Sequence, residues 1–586
     1  MGSKTRLQLT WIGKDEKLNL EPRILLEDKE QLYHAERRYS ENDPFDNKLI
    51  FGDNLLALKA LEQEYTGQIK CIYIDPPYNT GSAFEYYDDG LEHSMWLKLM
   101  KDRLQILHKL LKDDGMLFVH LDDSEQAYLK VILDEIFGRS NFVAQITYER
   151  SSVGGIGQGG VVVNTGEYIL IYKKKELNLN EISSYKPIDL KTMKRYNKIM
   201  KSYGERTLIE EFISKSNGES VKIYKHIDYE VESFSFRNYK ENQNEIDIKY
   251  GKEFNNLFRT FLIQKENSFQ QDLISKMDKG NLYSVEYIPS RGKNKDKLTN
   301  LYYLNNELVG WLKDSAFLQD GMVMKSSKIT NIWKHEEIPK ADLPNEGGVS
   351  FPRGKKPEQL LKRIIEWSTN EGDIVLDSFG GSGTTAAVAH KLKRRWITIE
   401  LGEQCYTHII PRMKQVIDGT DQTGISKAVN WKGGGGFRFY KLAPSLLVKD
   451  KYENWIISKE YNPEMLSEAM CKLEGFKYTP DKDVYWKHGS STENDYIYVT
   501  TQFVNQQIAD DISDQMADEE TLLICCKAFN VNQDDFPNIS FKKIPQMVLD
   551  KCEFGRDDYS LNVSELPIDK KEDEQMMLFD LGDDGE

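Results

Sequence analysis

Short apolar segments alternate with helical patterns in two separate stretches of this 586-residue chain. The predicted strands are rich in β-branched, aromatic or leucine residues and lie at 49–51, 69–74, 115–121, 143–148, 168–172, 374–376 and 396–400. Amphipathic helices are predicted between them, the clearest at 93–111 and 384–392. Strands and helices that alternate at this spacing form a doubly wound sheet of parallel strands. The sequence therefore predicts an α/β fold of the Rossmann-like kind.

The alternation stops after Lys173 and resumes only near Ile374. The residues between are rich in Lys, Asn, Tyr and Ser and show short mixed patterns. A chain of this length also exceeds what a single hydrophobic core supports. We therefore predict an N-terminal segment at 1–45, the halves of one α/β domain at 46–174 and 346–430, an inserted α+β domain at 175–345, and a C-terminal α/β domain with an acidic tail at 431–586.

Charge is distributed unevenly along the chain, whose net charge is −16. Residues 186–340 carry 27 Lys and Arg against 22 Asp and Glu, an excess of +5. Residues 565–586 carry 9 acidic and 2 basic residues. The middle of the chain is thus its basic part, which suits contact with nucleic-acid phosphates, although charged runs are often only solvated surface.

Several classes of protein are disfavoured by composition. No apolar run approaches the ~18 residues of a membrane span, and the first residues lack the apolar stretch of a secretion signal. The six cysteines form no CxxC pair, which argues against zinc ribbons and disulfide frameworks. We expect an intracellular protein in a reducing compartment, without a membrane or metal partner.

The strand at 69–74 ends in Asp75-Pro76-Pro77-Tyr78. Two consecutive prolines stop strand pairing, so Asp75 and Tyr78 are expected in a rigid loop at the strand's carboxyl end. Ligands of open α/β sheets bind at that end. The alternative for this tetrapeptide alone is an ordinary turn with a solvated aspartate.

A glycine-rich loop follows the strand at 374–376 and opens the helix at 384–392. Glycines there let the backbone approach a ligand, and Glu400 at the end of the next strand can bind ribose hydroxyls. The loop has no GxxxxGK[ST] pattern, so a nucleotide-hydrolysing P-loop is excluded. S-adenosylmethionine suits such a site, and a dinucleotide stays open as the alternative on this loop alone.

Taken together, the two motifs resemble the DPPY and FxGxG loops of amino-methyltransferases of DNA. Their order, with DPPY about 300 residues before FxGxG, resembles the circularly permuted β class. The strings DPPYNTG (75–81), HSMWLKLMKDRL (93–104) and FPRGKKPEQLL (351–361), with Gly52-Asp53-Asn54-Leu55, resemble the modification (Mod) subunits of type III restriction-modification systems.

This resemblance implies methyl transfer to adenine N6, more often than to cytosine N4, in a base flipped out of double-stranded DNA. Asp75 and the Pro76 carbonyl would accept the two N6 hydrogens, Pro77 would stiffen the loop, and Tyr78 would stack on the base. An aspartate is too weak a base to deprotonate an amine outright, so Asp75 would orient it and stabilise the positive charge that develops.

The resemblance also implies a binding site for S-adenosylmethionine. The residues assigned to it are Asp53, Asp75, Lys356, Pro357, Asp377, Phe379, Gly381, Gly383, Thr384 and Glu400. Asp53 would lie near the cofactor's adenine and Asp377 would face its methionine end. The alternatives are a helix cap for Asp53 and an exposed surface charge for Lys356. His120-Leu121-Asp122-Asp123 is interpreted as strand end and helix cap rather than a metal site.

The remaining expectations concern partners. The insert at 175–345 would recognise the DNA target, with aromatic and arginine clusters at 234–237 and 290–293. The C-terminal segment would serve homodimerisation or binding of a separate restriction (Res) subunit. Gln575-Met576-Met577-Leu578-Phe579 resembles the peptide that bacterial sliding clamps bind. Such a protein would act on DNA in the bacterial cytoplasm, in the nucleoid.

Two other functions stay open. One is a solitary methyltransferase without a restriction partner. The other is a DNA-binding scaffold that has kept the fold without catalysis, although the intact Asp75, Tyr78 and glycine loop favour an enzyme.

Overall fold

The computed structural model describes residues 9–11, 13–16, 18–78, 93–151, 162–180, 183–214, 218–264, 267–290, 294–319, 321–338, 343–351, 354–544 and 559. Contacts divide the chain into two compact units. The first comprises Met1–Glu181 and Thr330–Glu586, and the second comprises Ile182–Ile329. The first unit is therefore built from two stretches of chain that the second separates in sequence.

The first stretch of the first unit alternates strands and helices. Its elements are β1 (Leu25–Glu27), β2 (Tyr33–His34), β3 (Asn47–Phe51), α1 (Asn54–Tyr65), β4 (Ile69–Ile74), α2 (His93–Leu110), β5 (Leu111–Leu121), α3 (Gln126–Leu133), β6 (Phe142–Glu149) and β7 (Gly166–Lys173).

The second unit is mostly antiparallel β-structure with three helices among its described residues. Its elements are β8 (Ser183–Pro187), α4 (Leu190–Arg195), β9 (Lys198–Ser202), β10 (Glu205–Ile213), β11 (Ser220–Ile227), β12 (Glu230–Ser233), α5 (Gln243–Lys252), β13 (Leu257–Phe261), α6 (Ser268–Ser275), β14 (Leu282–Tyr287), β15 (Thr299–Leu304), β16 (Glu307–Trp311), β17 (Ala316–Gln319) and β18 (Met322–Lys328). An eight-stranded sheet runs in the order β10-β11-β14-β15-β16-β13-β9-β12, and β17-β18-β8 form a smaller one.

The rest of the first unit completes its sheet and adds a C-terminal layer. The elements are β19 (Ile332–Trp333), α7 (Glu358–Ser368), β20 (Ile374–Asp377), α8 (Thr384–Lys391), β21 (Arg395–Glu400), α9 (Ile410–Asp418), β22 (Gly436–Leu442), β23 (Leu447–Lys449), β24 (Trp455–Ile457), α10 (Pro463–Glu474), β25 (Lys477–Tyr478), β26 (Gly489–Ser490), β27 (Asp495–Asn505), α11 (Gln506–Ser513), β28 (Thr521–Asn530) and β29 (Ile539–Lys543).

The central sheet draws strands from both stretches, in the order β1-β22-β3-β21-β20-β4-β5-β7-β6-β19, with β2 also on β22. Six neighbouring strands, from β22 to β5, run parallel. Every residue of β4 is buried, as expected for a parallel strand covered on both faces by helices. The predicted α/β fold is therefore confirmed, and the two sequence stretches interleave in one sheet.

One detail of the predicted sheet is wrong. Strand β7 runs antiparallel to both β5 and β6, so the sheet is mixed rather than wholly parallel. The apolar pattern of β7 does not predict whether the strand is parallel or antiparallel, because a strand in either direction can be buried on both faces.

Several predicted segment boundaries also differ from the observed units. Strands β1 and β2 bring residues of the polar N-terminal segment into the central sheet, and β22 lies after the predicted boundary at 431 but pairs with β3. The inserted unit spans 182–329 instead of 175–345. Strands β1, β2 and β22 join the sheet through long-range pairing, which their own weak sequence patterns do not predict.

The two aromatic rings of the predicted cluster at 234–237 pack against a hydrophobic core of the second unit. The rings of Phe234 and Phe236 are half-buried and lie 5.1 and 5.7 Å from the ring of buried Tyr250, whereas Ser235 and Arg237 are exposed. Residues 291–293 of the second cluster lie outside the described residues. Across the part of the chain that the structure describes, none of the helices is both long and apolar enough to span a membrane.

Candidate functional site

The two loops singled out in the sequence leave the same edge of the central sheet. Strands β4 and β20 are parallel neighbours, with Cys71 opposite Val375 and Ile72 opposite Leu376. Adjacent strands lie about 4.8 Å apart. Tyr78 and Phe379 pack against one hydrophobic cluster. The loop after β4 and the loop after β20 therefore belong to one site, although about 300 residues separate them in the chain.

Asp75, Tyr78 and Lys356 form a closed triangle of polar contacts. The Tyr78 hydroxyl donates to Asp75 Oδ1 at 2.8 Å, and it accepts from Lys356 Nζ at 2.6 Å. Lys356 Nζ also lies 3.0 Å from Asp75 Oδ2. From helix α2, Trp96 Nε1 donates to the Pro77 carbonyl at 2.6 Å. These contacts fix both ends of the proline-stiffened loop.

A buried row of polar residues lies behind this triangle. Glu167 Oε2 is 2.8 Å from His120 Nε2 and 3.8 Å from Lys356 Nζ. The hydroxyl of Tyr73 is 2.8 Å from His120 Nδ1. Tyr73, His120 and Glu167 sit on the neighbouring strands β4, β5 and β7. The sheet thus presents a carboxylate on the inner side of Lys356, with Asp75 on the outer side.

Electrostatics assign charges to this row. Burial favours a neutral Glu167, yet Lys356 and His120 hold the pKa of that carboxyl well below its ordinary range. Burial also favours a neutral Lys356, but the charges of Asp75 and Glu167 raise the pKa of its ammonium. For His120, burial and the Lys356 charge together lower the pKa of the imidazole. Lys356 is therefore a cation between two anions, and His120 is a neutral ring beside Glu167 at physiological pH.

The glycine-rich loop needs its glycines for backbone conformation and for space. Gly381 has φ +51° and Gly383 φ +75°, in the left-handed region that other residues rarely adopt. A Cβ on Gly380 would lie 2.7 Å from Thr398 Cγ2. Gly383 is the N-cap residue of α8. The loop therefore places backbone N–H groups at the start of a helix, where polar or anionic ligand groups bind well.

Asp377 at the end of β20 is turned into this loop. Its Oδ1 accepts from Phe379 N at 2.9 Å, and its Oδ2 accepts from the Thr385 hydroxyl at 2.5 Å. Burial raises the pKa of the Asp377 carboxyl to about 8, against the opposing effect of these two donors. Asp377 thus shapes the loop through hydrogen bonds.

Glu400 ends β21 and is held by three donors. Its Oε2 accepts from Gly381 N at 2.6 Å, and its Oε1 accepts from Gly402 N at 2.9 Å and Gln404 Nε2 at 2.7 Å. Burial raises the pKa of this carboxyl to about 7, while the backbone donors act in the opposite direction. The carboxylate is thus fixed beside the glycine loop, where a ligand hydroxyl can reach its remaining lone pairs.

Asp53 lies after β3, one strand beyond Glu400. Its Oδ1 accepts from Leu55 N and Leu56 N at 2.9 and 3.1 Å and so caps α1, which confirms the helix-cap alternative. Its Oδ2 accepts from Tyr559 N at 3.0 Å and from Arg103 Nη2 at 3.4 Å. One carboxylate oxygen therefore serves the helix and the other faces buried donors.

Lys356 is the residue whose surroundings differ most from the expectation. The alternative that Lys356 is an exposed surface charge is wrong, because the residue is buried, with 9% of its surface exposed. Its described polar partners are Asp75, Tyr78 and Glu167, which places it at the DPPY loop. Pro357, next in the chain, is the N-cap residue of α7.

A second buried charge cluster supports the glycine loop. Glu358 accepts from Lys391 at 2.7 and 2.9 Å and from Arg412 Nη2 at 2.8 Å. Arg412 Nη1 also donates to the Ser382 carbonyl at 3.2 Å and to the Thr384 hydroxyl at 2.9 Å. The start of α7, two residues after Lys356, is thus tied to the start of α8.

Comparison with known proteins agrees with this geometry. The family described as DNA methylase matches residues 69–411, which is more than half of the chain. The chain belongs to the DNA methylase family. It is 37% identical over 462 residues to the probable type III restriction-modification enzyme HindVI Mod subunit of Haemophilus influenzae, a match that covers 75% of this chain and 60% of that protein. These findings confirm the resemblance drawn from the motifs.

Two further relatives of this DNA methylase carry similar names. It is 28% identical over 438 residues to the EcoPI Mod subunit of Escherichia phage P1, covering 66% of this chain and 62% of that protein. It is 26% identical over 510 residues to the EcoP15I Mod subunit of Escherichia coli, covering 77% and 73%. The chain spans less than two thirds of the length of the HindVI and EcoPI relatives.

The sequence missed several residues of the methylase site. Glu167 and His120 interrupt apolar strands at buried positions, and that interruption was a usable signal. Arg103 lies on the buried face of helix α2, which is unusual for arginine. Tyr559 carried no signal. In the part of the chain that the structure describes, no cluster of three or more His, Cys, Asp or Glu residues is arranged to hold a metal ion.

Proposed function

We propose that this methylase transfers a methyl group from S-adenosylmethionine to the N6 amine of adenine in double-stranded DNA, at a specific site. The observation that carries the proposal is the meeting of the Asp75–Tyr78 loop and the glycine loop on adjacent parallel strands. A base amine held at the first loop would face a cofactor held at the second. Placing two reactants side by side in this way supplies much of an enzyme's rate.

The residues around the glycine loop fit the cofactor. Gly381 and Gly383 leave the backbone free of side chains, Glu400 offers carboxylate oxygens to ribose hydroxyls, and Asp53 stays assigned to the neighbourhood of the cofactor's adenine by the family resemblance. Asp377 shapes the loop from below. Phe379 and Thr384 complete the assigned set, with Pro357 nearby. When bound, S-adenosylmethionine supplies an electrophilic methyl group on its sulfonium.

The chemistry of the target base falls to the DPPY loop. Asp75 and the Pro76 carbonyl accept the hydrogens of the amine, which turns the nitrogen lone pair away from the ring. Although Tyr78 and Lys356 each engage one Asp75 oxygen, a carboxylate has about four lone-pair sites, so acceptor capacity is left for the amine. Tyr78 offers a ring on which an extruded base can stack, a contact worth about 1–3 kcal/mol. Pro77 holds the loop.

Sequencing that detects modified bases tests this proposal directly. DNA from cells that express the wild type should carry N6-methyladenine at one sequence motif, and DNA from cells with Asp75→Ala should not. N4-methylcytosine at the motif would instead assign the N4 amine of cytosine as the target. Unmodified DNA with a folded, DNA-binding protein would support the scaffold alternative instead.

The second unit, residues 182–329, is proposed to recognise the DNA target. Its sequence region carries the basic excess of the chain, and Arg is the residue that most often reads guanine. A chimera that carries the corresponding unit of another Mod protein should methylate that protein's motif. An unchanged motif would assign recognition elsewhere.

Type III modification subunits are the named relatives, so we propose a restriction (Res) partner and a homodimer for this chain. Co-purification with the product of a neighbouring restriction gene tests the first, and light scattering tests the second. The proposed clamp-binding peptide, residues 575–579, lies outside the described residues. Clamp binding that survives deletion of residues 574–586 would end that proposal. Such a protein would work on the nucleoid in the bacterial cytoplasm.

A further inference from the structure

Lys356 was assigned to the cofactor by resemblance, but its contacts point to the target base. Its ammonium lies 3.0 Å from Asp75 Oδ2 and 2.6 Å from the Tyr78 hydroxyl. It also lies 4.9 Å from the centroid of the Tyr78 ring, beyond the hydroxyl edge of that ring. The ammonium therefore holds the hydroxyl edge of the ring, and with it the plane on which a base would stack.

The ammonium is held from behind by a carboxylate of the sheet. Glu167 Oε2 lies 3.8 Å from Lys356 Nζ and 2.8 Å from His120 Nε2, and Glu167 is 4% exposed. The imidazole of His120 is oriented in turn by Tyr73. A buried lysine needs such paired charges to stay ionised. The row from Tyr73 to Glu167 therefore fixes both the place and the charge of Lys356.

Loss of this cation would change what Asp75 can do. Without it, Asp75 would lose the cation that lies 3.0 Å from its Oδ2, and buried Glu167 would lose the ammonium 3.8 Å from its Oε2. Asp75 could then rotate away from the position in which it would accept a hydrogen of the amine. Tyr78 would also lose the donor that holds its hydroxyl.

We propose that Lys356 is a positioning residue for the target amine, which acts through Asp75 and Tyr78, and that Glu167 holds its ammonium in place. The proposal deepens the methyl-transfer function and rests on it. It moves Lys356 from the cofactor site to the base site. It also predicts that substitution of Lys356 changes base extrusion and the rate of methyl transfer without changing the affinity for the cofactor.

The experiment compares wild type, Lys356→Gln, Glu167→Gln and Lys355→Gln. Its substrate is unmodified DNA that carries the motif the enzyme methylates. S-adenosylmethionine affinity is measured by calorimetry, the rate by single-turnover methyl transfer, and base extrusion by the fluorescence of 2-aminopurine at the target position. Lys355 is the matched control, since it is a buried lysine whose ammonium donates to the carbonyls of Glu346 and Val349.

Lys356→Gln should lower the single-turnover rate about 100-fold, the scale of a displacement of about 1 Å at a reacting centre. Its cofactor Kd should stay within twofold of wild type, and its 2-aminopurine signal should change. Glu167→Gln should show the same split, a lower rate with an unchanged cofactor Kd, to a smaller extent. With Lys356→Ala, added ethylammonium should restore part of the rate, whereas equal sodium chloride should not. Lys355→Gln should lower thermal stability without this split.

A tenfold weaker cofactor Kd for Lys356→Gln with an unchanged rate at saturation would assign Lys356 to the cofactor and overturn the proposal. Unchanged rate and unchanged Kd would overturn it as well, as would the same split in Lys355→Gln. A wild type that transfers no methyl group would refute the proposed function itself, and this role with it.

Discussion

Replacing Lys391 by methionine removes the central cation of a buried cluster. Its ammonium donates to both oxygens of Glu358, at 2.7 and 2.9 Å, and to Asp421 Oδ2 at 2.6 Å, and all three side chains are fully buried. After the substitution Glu358 keeps Arg412 as a partner, whereas Asp421 keeps only the hydroxyl and N–H of Thr423 among the partners described. One buried carboxylate is thus left without a cation.

Breaking a buried ion pair by removing one partner costs about 3–5 kcal/mol. The entropy of unfolding is about 2.1 cal/mol/K per residue, so the roughly 440 residues of the first unit give about 0.9 kcal/mol/K. Dividing the two, Lys391→Met should lower the Tm of that unit by about 3–5 °C.

The effect should depend on pH with a definite sign. Burial acts to raise the pKa of Asp421, but the ammonium of Lys391 outweighs burial and lowers this pKa below its ordinary value of 3.8. A lowered folded-state pKa stabilises the fold above the ordinary value, and this stabilisation is lost as pH falls through the folded-state pKa. The gap in Tm between wild type and Lys391→Met should therefore be full at pH 7 and shrink below about pH 4.

Calorimetry of the whole chain measures this gap. The control is Lys362→Met on helix α7, where Lys362 forms a partly exposed pair with Glu366 at 3.0 Å. Such pairs contribute less than about 1 kcal/mol, so the control should melt within about 1 °C of wild type. If Lys391→Met melted together with the control at pH 7, the reasoning about the buried cluster would be refuted.

Three further predictions concern the cofactor site. Burial raises the pKa of Glu400 to about 7, and hydroxyl binding favours the ionised form of this carboxyl, so cofactor affinity should rise about tenfold between pH 6 and pH 8. Calorimetry at each pH should show a smaller rise in Glu400→Gln. The pH dependence that remains in this variant would come from Asp377. Asp53→Asn should leave helix α1 intact, because Asn caps as well as Asp, but should weaken cofactor binding measurably by the same method; equal affinity would exclude Asp53 from the site. Gly383→Ala should cost about 1–2 kcal/mol for its left-handed backbone, seen as a lower Tm, and a Tm equal to that of wild type would contradict the strain.

Tertiary pairing explains which parts of the site escaped the sequence. Asp75, Tyr78, the glycines and Glu400 stand at ends of strands, where a local pattern of apolar run and turn marks them. Glu167 and His120 contribute through contacts across strands, which no local pattern encodes. The neighbour relation of β4 and β20 and the direction of β7 are likewise set by pairing across the sheet.

The sequence by itself determined the α/β class, the DPPY and glycine loops and the family, because each depends on residues that are close together in the chain. Only the tertiary structure decided where Lys356 lies and which charges surround it. Its neighbours Asp75 and Glu167 are about 280 and 190 residues away in sequence, and burial gives their charges an effect that the same residues in water would lack.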